Sequence, residues 1–361
     1  MKLDFCEVFD DYTSRCRKIP KEEYLSNGKY IVIDQGKNSI AGYTNVDDGL
    51  FEDVPAIVFG DHTRIMKYVD EPFFLGADGV KLLKSKIKDA NYKYLYYALR
   101  NARIPDTGYN RHFKWLKEIS LEYKDAESQK NIVKILDTVT NIIELCKAEL
   151  SELDNLIKAR FVEMFGDVKA NPYGFEKMAL KDTCTVITGN TPSRSVPEYY
   201  GDSIEWIKTD NIVSGRLSPS QALEYLSDEG IKVGRTVEKG AILMACIAGS
   251  VASIGRVCIT DRKVAFNQQI NAIVSEDYDS LFLHTMLQLS KEYLVEEINM
   301  ALKGIVSKSK LEGKEFIVPS IEQQKQFATF VHQVNKSKVE VKKALDEAQL
   351  LFDSLMQKYF G

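Results

Sequence analysis

The sequence predicts an α+β protein: two α/β heads separated by two long antiparallel helices that form a coiled coil, arranged as a pseudo-twofold internal repeat. Three observations predict it. Residues 123–166 and 318–361 align without a gap at a constant offset of 195, so that Glu127, Gln129 and Lys130 fall on Glu322, Gln324 and Lys325, and Phe165-Gly166 on Phe360-Gly361. A repeat of this length sets the architecture before any single element is assigned. Each copy carries apolar residues at an alternating spacing of four and three, the seam of a coiled coil. The segments between are rich in short β-like runs closed by turns. The expected domains are a first head (1–122), a central long helix (123–166), a linker with a second head (167–318), and a C-terminal long helix (319–361).

In the first head, Lys29–Asp34, Pro55–Gly60 and Arg64–Val69 read as strands, followed by a helix over Tyr92–Asn101. The first long helix has its seam at Ile132, Leu136, Val139, Ile143, Cys146, Leu150, Leu153, Ile157 and Met164, broken only by Arg160. Asp125 is placed to cap its start and Gly166 to end it. Asp167–Gly174 joins the halves. The second head reads as strands at Ile204–Lys208, Gly240–Cys246 and Gly255–Thr260, then a helix over Leu281–Glu297. Ser320 and Gln323 form a capping box at the start of the second long helix, whose seam runs Phe327, Val331, Val334, Lys338, Val341, Leu345, Ala348, Phe352, Leu355 and Tyr359. At about 40 residues each helix spans roughly 60 Å. So long a helix with so narrow an apolar stripe needs a partner, and the other copy is the one at hand. The helices repeat closely and the heads do not: the spacer is kept while the exposed surface changes.

Composition is that of an ordinary globular protein, with a net charge of −4. That charge argues against unspecific electrostatic binding to nucleic acid but permits local basic clusters. No apolar run approaches a membrane span and the N-terminus lacks the apolar core of a secretion signal, so the expected location is cytoplasmic. Cys6, Cys16, Cys146, Cys184, Cys246 and Cys258 show no CxxC pair and read as free thiols. His62, His112, His284 and His332 form no metal-binding pattern, so no metal is expected. Three motifs imitate catalysis. Asn171-Pro-Tyr-Gly174 lacks a proline found in amino-methyltransferase tetrapeptides and has no glycine-rich cofactor loop before it. Asp106 with Glu122 and Lys124 matches only the bare spacing of a nuclease. Gly249–Gly255 lacks the Lys-Ser/Thr of a P-loop.

Several segments resemble target recognition domains of type I restriction-modification specificity subunits. In the second half these are Gly189-Asn-Thr-Pro-Ser193, Ile204-Glu-Trp-Ile-Lys-Thr-Asp-Asn-Ile212, Gly240–Ala245, Phe266-Asn-Gln-Gln-Ile-Asn-Ala272 and Pro319-Ser-Ile-Glu-Gln-Gln324. In the first they are Asp34-Gln-Gly-Lys-Asn-Ser-Ile-Ala-Gly-Tyr43 and Val58-Phe-Gly-Asp-His-Thr-Arg64. The resemblance covers nearly the whole chain, and departs from the family at Tyr123-Lys124-Asp125, where copy two has Val318-Pro319-Ser320. It implies a subunit without catalytic activity that binds a split DNA site. Each head would read one half, and the paired helices would set the gap and dock two methylase subunits. S-adenosylmethionine is expected on those methylase subunits and no cofactor on this chain; motor-nuclease subunits would complete the complex. A coiled-coil scaffold with two protein-binding heads is the competing reading, and would show no salt-sensitive, sequence-specific DNA binding.

Candidate DNA contacts follow from chemistry. Lys and Arg neutralise phosphates, and a basic segment precedes each long helix: Arg111, His112 and Lys114 in copy one, Lys303, Ser307, Lys308 and Lys310 in copy two. Base edges are read by forked or bidentate groups. In the first head Lys37, Asn38, His62, Thr63 and Arg64 have that chemistry, although His62 beside Asp61 also fits a turn. In the second head Thr191, Ser193, Arg194, Lys208, Asn211, Asn267 and Gln268 have it, although Asn267 and Gln268 fit strand-end caps equally well.

Overall fold

In a computed structural model, all residues are described except 77, 109, 248–252 and 297–304. The chain divides into two compact units: Met1–Lys147 with Lys343–Gly361, and Ala148–Lys342. Each unit therefore holds one head and one portion of each long helix. Among the described residues, no helix is long and apolar enough to cross a membrane.

The first unit contains a four-stranded antiparallel sheet in the order Phe9–Asp11, Val80–Ser85, Ala56–Gly60, Met66–Val69. Ala56–Gly60 is buried at every position, as a strand covered on both faces must be. Successive side chains point to opposite faces, and the two faces feed different cores. Ile57 and Phe59 join the cluster that includes Ile132, Leu136 and Phe352 of the long helices. Ala56 and Val58 join a second cluster with Ile31, Ile33, Phe73 and Leu75. The latter residues belong to a mixed sheet ordered Lys18–Ile19, Phe73–Gly76, Tyr30–Ile33, Gly42–Thr44, in which Tyr30–Ile33 and Phe73–Gly76 run parallel.

The second unit repeats this plan. Its antiparallel sheet runs Thr185–Thr188, Ile270–Val274, Ile242–Ala245, Val257–Ile259. Ile242 and Met244 face the cluster containing Phe161, Phe165 and Phe327 of the long helices, while Leu243 and Ala245 face the core shared with Ile207 and Phe266. A five-stranded mixed sheet follows, ordered Tyr200–Gly201, Tyr225–Leu226, Ile204–Ile207, Val264–Phe266, Thr236–Val237, with Ile204–Ile207 and Val264–Phe266 parallel. The two heads share no closely aligned sequence, yet each places one sheet against the helices and one outside it.

The joints between head and helix share a strand pairing and two hydrogen bonds. Lys2–Asp4 pairs with Ser120–Glu122, and Lys177–Ala179 with Glu315–Ile317. Tyr94 Oη donates to the Glu122 carbonyl at 2.6 Å, and Tyr278 Oη to the Ile317 carbonyl at 3.0 Å. Gln129 Nε2 donates to the Lys124 carbonyl at 2.8 Å, and Gln324 Nε2 to the Pro319 carbonyl at 3.0 Å. Both glutamines are buried. The helix entry that differs in sequence, Tyr123-Lys124-Asp125 against Val318-Pro319-Ser320, thus makes the same bond.

The long helices run Ala126–Phe165 and Ile321–Phe360, 40 residues each. The caps form as the sequence indicates. Asp125 Oδ1 accepts from the Ser128 backbone N–H at 2.9 Å, Ser320 and Gln323 exchange backbone bonds, and Gly166 takes a left-handed φ of 73°. In the second unit, contacts step up one helix and down the other: Lys338 with Asp154, Phe330 with Arg160, Phe327 with Phe161 and Phe165. The seam needs one correction. The buried residues near the end of the first helix are Phe161 and Phe165, not Arg160 and Met164. In the second helix Met356 is buried and Leu355 only partly so. A helix of 3.6 residues per turn drifts about 20° per heptad from a strict 3.5 repeat, so the buried stripe slips to the next residue. The helix expected over Leu281–Glu297 is broken into Ser280–Leu289 and Lys291–Val295, and Glu297 lies outside the described residues.

Candidate nucleic-acid interface

In the first head, the loop after Tyr30–Ile33 and the loop after Ala56–Gly60, strands of different sheets, are tied together. Thr63 Oγ1 donates to the Gln35 carbonyl at 2.7 Å, and the His62 backbone N–H to Gln35 Oε1 at 3.2 Å. Lys37 and Asn38 are exposed on the first loop. Arg64 on the second has a φ of 61°, a left-handed backbone that is costly for any residue with a Cβ. Its guanidinium donates to Asp106 Oδ2 at 2.7 Å. The Gly108 backbone N–H and then Arg64 hold the Asp106 carboxyl below its usual range. Lys37, Thr63 and Arg64 line one open cleft of about 800 Å³, with Lys67, Tyr68, Lys93, Tyr96 and Arg100. Sequence reasoning missed the latter five. The helical spacing of Lys93, Tyr96 and Arg100 (i, i+3, i+7) puts them on one face and was the available signal.

His62 is half-buried, with Nδ1 3.2 Å from the Asn110 carbonyl. His112 is a correction. It is fully buried, with Nδ1 2.9 Å from the Asp61 carbonyl and Nε2 3.5 Å from Thr107 Oγ1. A carbonyl only accepts, so Nδ1 carries the hydrogen. His112 anchors the Asp61 turn and offers no surface to a ligand. Arg111 and Lys114 beside it are exposed, Lys114 lying 4.1 Å over the Trp115 ring.

In the second head a charged cluster sits on an aromatic floor. Alternation along the strand puts Ile204 and Trp206 in one small outer cluster, opposite Ile207. Trp206 packs against Tyr200 with ring centroids 6.0 Å apart. Arg194 lies 4.4 Å over the Tyr200 ring and Lys208 5.0 Å over the Trp206 ring. Both bond Glu224, Arg194 at 2.5 Å and Lys208 also in direct contact. Lys208 first, then Arg194, hold the Glu224 carboxyl below its usual range. Period-two alternation could have brought Lys208 onto the Trp206 face; no sequence signal points to Glu224. Thr191 Oγ1 donates to Gln268 Oε1, and both residues are exposed. Ser193 is exposed and bonded to Ser195 at 2.7 Å.

Two further candidates bond groups of their own head. Asn211 accepts from the Lys208 backbone N–H at 2.9 Å and donates to the Gln221 carbonyl at 3.0 Å, so its amide is committed to the turn. Asn267 is buried and bonds both the side chain and the backbone N–H of Gln269 at 3.1 Å. Both are caps. Ahead of the second long helix, Ser307 caps the short helix Lys308–Glu312, and Lys308 and Lys310 are exposed on it. The matching short helix in the first unit is Phe113–Leu116. Lys303 lies outside the described residues.

Among the described residues, no three His, Cys, Asp or Glu side chains gather so as to hold a metal. The six cysteines are free, five of them buried.

The profile of the family described as "Type I restriction modification DNA specificity domain" matches residues 3–155 and 172–348. The chain belongs to this family. It is 32% identical over 147 residues to the HindI specificity subunit of Haemophilus influenzae, covering 39% of this chain and 31% of that protein. It is 27% identical to the MjaIX specificity subunit of Methanocaldococcus jannaschii over 45% of this chain and 38% of that one. The matches thus span about a third of the length of these relatives. A longer match reaches the MjaVIII specificity subunit of the same archaeon, 24% identical over 71% of this chain and 67% of that protein. In fold, the chain is similar to the crystal structure of a type I restriction-modification S subunit from M. genitalium, with a TM-score of 0.62 and 16% identity over 100% of this chain and 96% of that one.

Proposed function

We propose that this chain is the non-catalytic DNA-specificity subunit of a type I restriction-modification complex, each head reading one half of a split, asymmetric site. One observation carries the reading. A strand pairing, a tyrosine hydrogen bond and a glutamine hydrogen bond recur where each head meets its helix, while the polar surface residues beyond them differ: Lys37, Thr63 and Arg64 in one, Thr191, Arg194, Lys208 and Gln268 in the other. A common mount with unlike reading surfaces suits two different half-sites. The readers are forked donors, fitted to guanine or to phosphate, or amides, fitted to adenine.

The long helices, as an antiparallel coiled coil with pseudo-twofold symmetry, set the distance between half-sites. They also dock two methylase subunits, which carry S-adenosylmethionine; motor-nuclease subunits complete the complex in the cytoplasm. In the first unit Ile135, Ile142, Leu145, Leu350 and Leu351 are exposed on these helices. Apolar side chains at such density on one pair of helices suit a protein partner.

The test is base-resolution methylation sequencing of host DNA with and without the gene. Loss of methyladenine at one split motif supports the role and names the half-sites. Unchanged methylation in a host that expresses the methylase subunits sinks it and favours the scaffold. Deleting four residues from both helices is expected to change the gap and leave the half-sites alone.

A further inference from the structure

The second unit contains a cavity of about 300 Å³ between its head and the long-helix segments, lined by Lys158, Arg216, Arg256, Lys291 and Lys338. Asp154 is the one carboxylate lining it among the described residues, and it is bonded to Lys338 at 2.6 Å. His284 also lines it, and burial lowers its pKa to about 4, so it stands there neutral. Among the described residues, Nε of Arg256 is buried without a hydrogen-bond partner.

Lys158, Arg216, Arg256 and Lys338 around one small space repel one another, and the one carboxylate lining it among the described residues is already held by Lys338. A buried guanidinium N–H with no acceptor adds a further unfavourable group, since buried donors are almost always paired. An anion with several oxygens in the cavity offsets the repulsion of the cations that line it. Arginine N–H groups fit the oxygens of a phosphate in pairs, and lysines add charge without demanding direction. We propose that this cavity is a phosphate-binding site, with Arg256 and Arg216 as its forked donors and Lys158 as its supporting charge. The phosphate belongs either to a DNA backbone, which rests on the function proposed above, or to a free inorganic or organic phosphate.

The experiment uses the full-length chain and three variants: Arg256→Gln, Arg216→Gln and Lys158→Gln. Arg216 and Lys158 are exposed, so the last two test the site if Arg256→Gln fails to fold. Calorimetric titration with inorganic pyrophosphate in a phosphate-free buffer probes the free anion. The salt dependence of affinity for duplex DNA probes the backbone. A free-phosphate site binds pyrophosphate at least tenfold more weakly in the variants. A backbone site shows a log K against log salt slope reduced by about one unit per cation removed, with half-site preference unchanged. Variants that melt like the wild type yet alter neither quantity overturn the proposal. If the wild type binds no DNA at all, the specificity reading fails, and the pyrophosphate titration decides the cavity independently.

Discussion

The two buried glutamines occupy equivalent repeat positions but carry unequal loads. Gln129 makes one side-chain hydrogen bond among the described residues, to the Lys124 carbonyl at 2.8 Å. Gln324 makes three: it donates to the carbonyls of Pro319 at 3.0 Å and Asp277 at 3.3 Å, and accepts from the Asp279 backbone N–H at 2.8 Å. Asp279 in turn caps Ser280–Leu289, so one amide joins the helix entry to the head's main helix. Leucine nearly conserves the shape and removes the polar atoms. At about 1 kcal/mol per hydrogen bond, with somewhat more where a buried partner is left unpaired, Gln324→Leu is expected to cost about 3 kcal/mol and Gln129→Leu about 1 kcal/mol. The first corresponds to roughly a hundredfold change in the unfolding equilibrium, the second to several-fold. The chain's two tryptophans, Trp115 and Trp206, fall one in each unit, so a Trp115→Phe background makes fluorescence report the second unit and Trp206→Phe the first. Urea unfolding in these backgrounds measures each cost where it arises. Equal costs for the two substitutions, or a larger one for Gln129→Leu, would refute the reasoning that tertiary partners rather than repeat position set the energy.

Three further outcomes are expected. Arg64→Gly suits the left-handed backbone and loses a partly exposed ion pair and a long 3.5 Å bond to the Ile104 carbonyl, so stability should change by about 1 kcal/mol or less. Discrimination at one base of the first half-site should meanwhile fall by about 1–3 kcal/mol in competition binding; unchanged discrimination would remove Arg64 from the readers. Burial lowers the His284 pKa from 6.5 to about 4, so the unfolded chain binds the extra proton between those values. Stability of the second unit should therefore be full above pH 6.5 and fall as pH drops toward 4, at up to about 1.4 kcal/mol for each step of one in pH. His284→Gln should flatten urea midpoints over that window. Phe161→Ala should cost about 3–5 kcal/mol by chemical denaturation, because the ring is fully buried against Phe165, Phe282 and Phe327; Arg160→Ala should cost about 1 kcal/mol or less.

The sequence by itself determined the repeat, the lengths of the two helices, their caps and the strands that flank the polar loops. These are local matters: a capping box, a left-handed glycine and a period of two or four-three involve residues a few positions apart, so their signals are contiguous. Only the tertiary structure decided which residue of a pair is buried and which faces solvent. Phe161 replaced Arg160 on the seam because the helix drifts against a strict heptad. His112 proved to be an anchor because the Asp61 turn, 51 residues earlier in the chain, closes over it. Glu224 reached Arg194 and Lys208, 30 and 16 residues away in the chain, with no pattern linking them. Whether a polar side chain serves a ligand or its own fold depends on whether distant backbone groups claim its hydrogen bonds. That is settled when the sheets close.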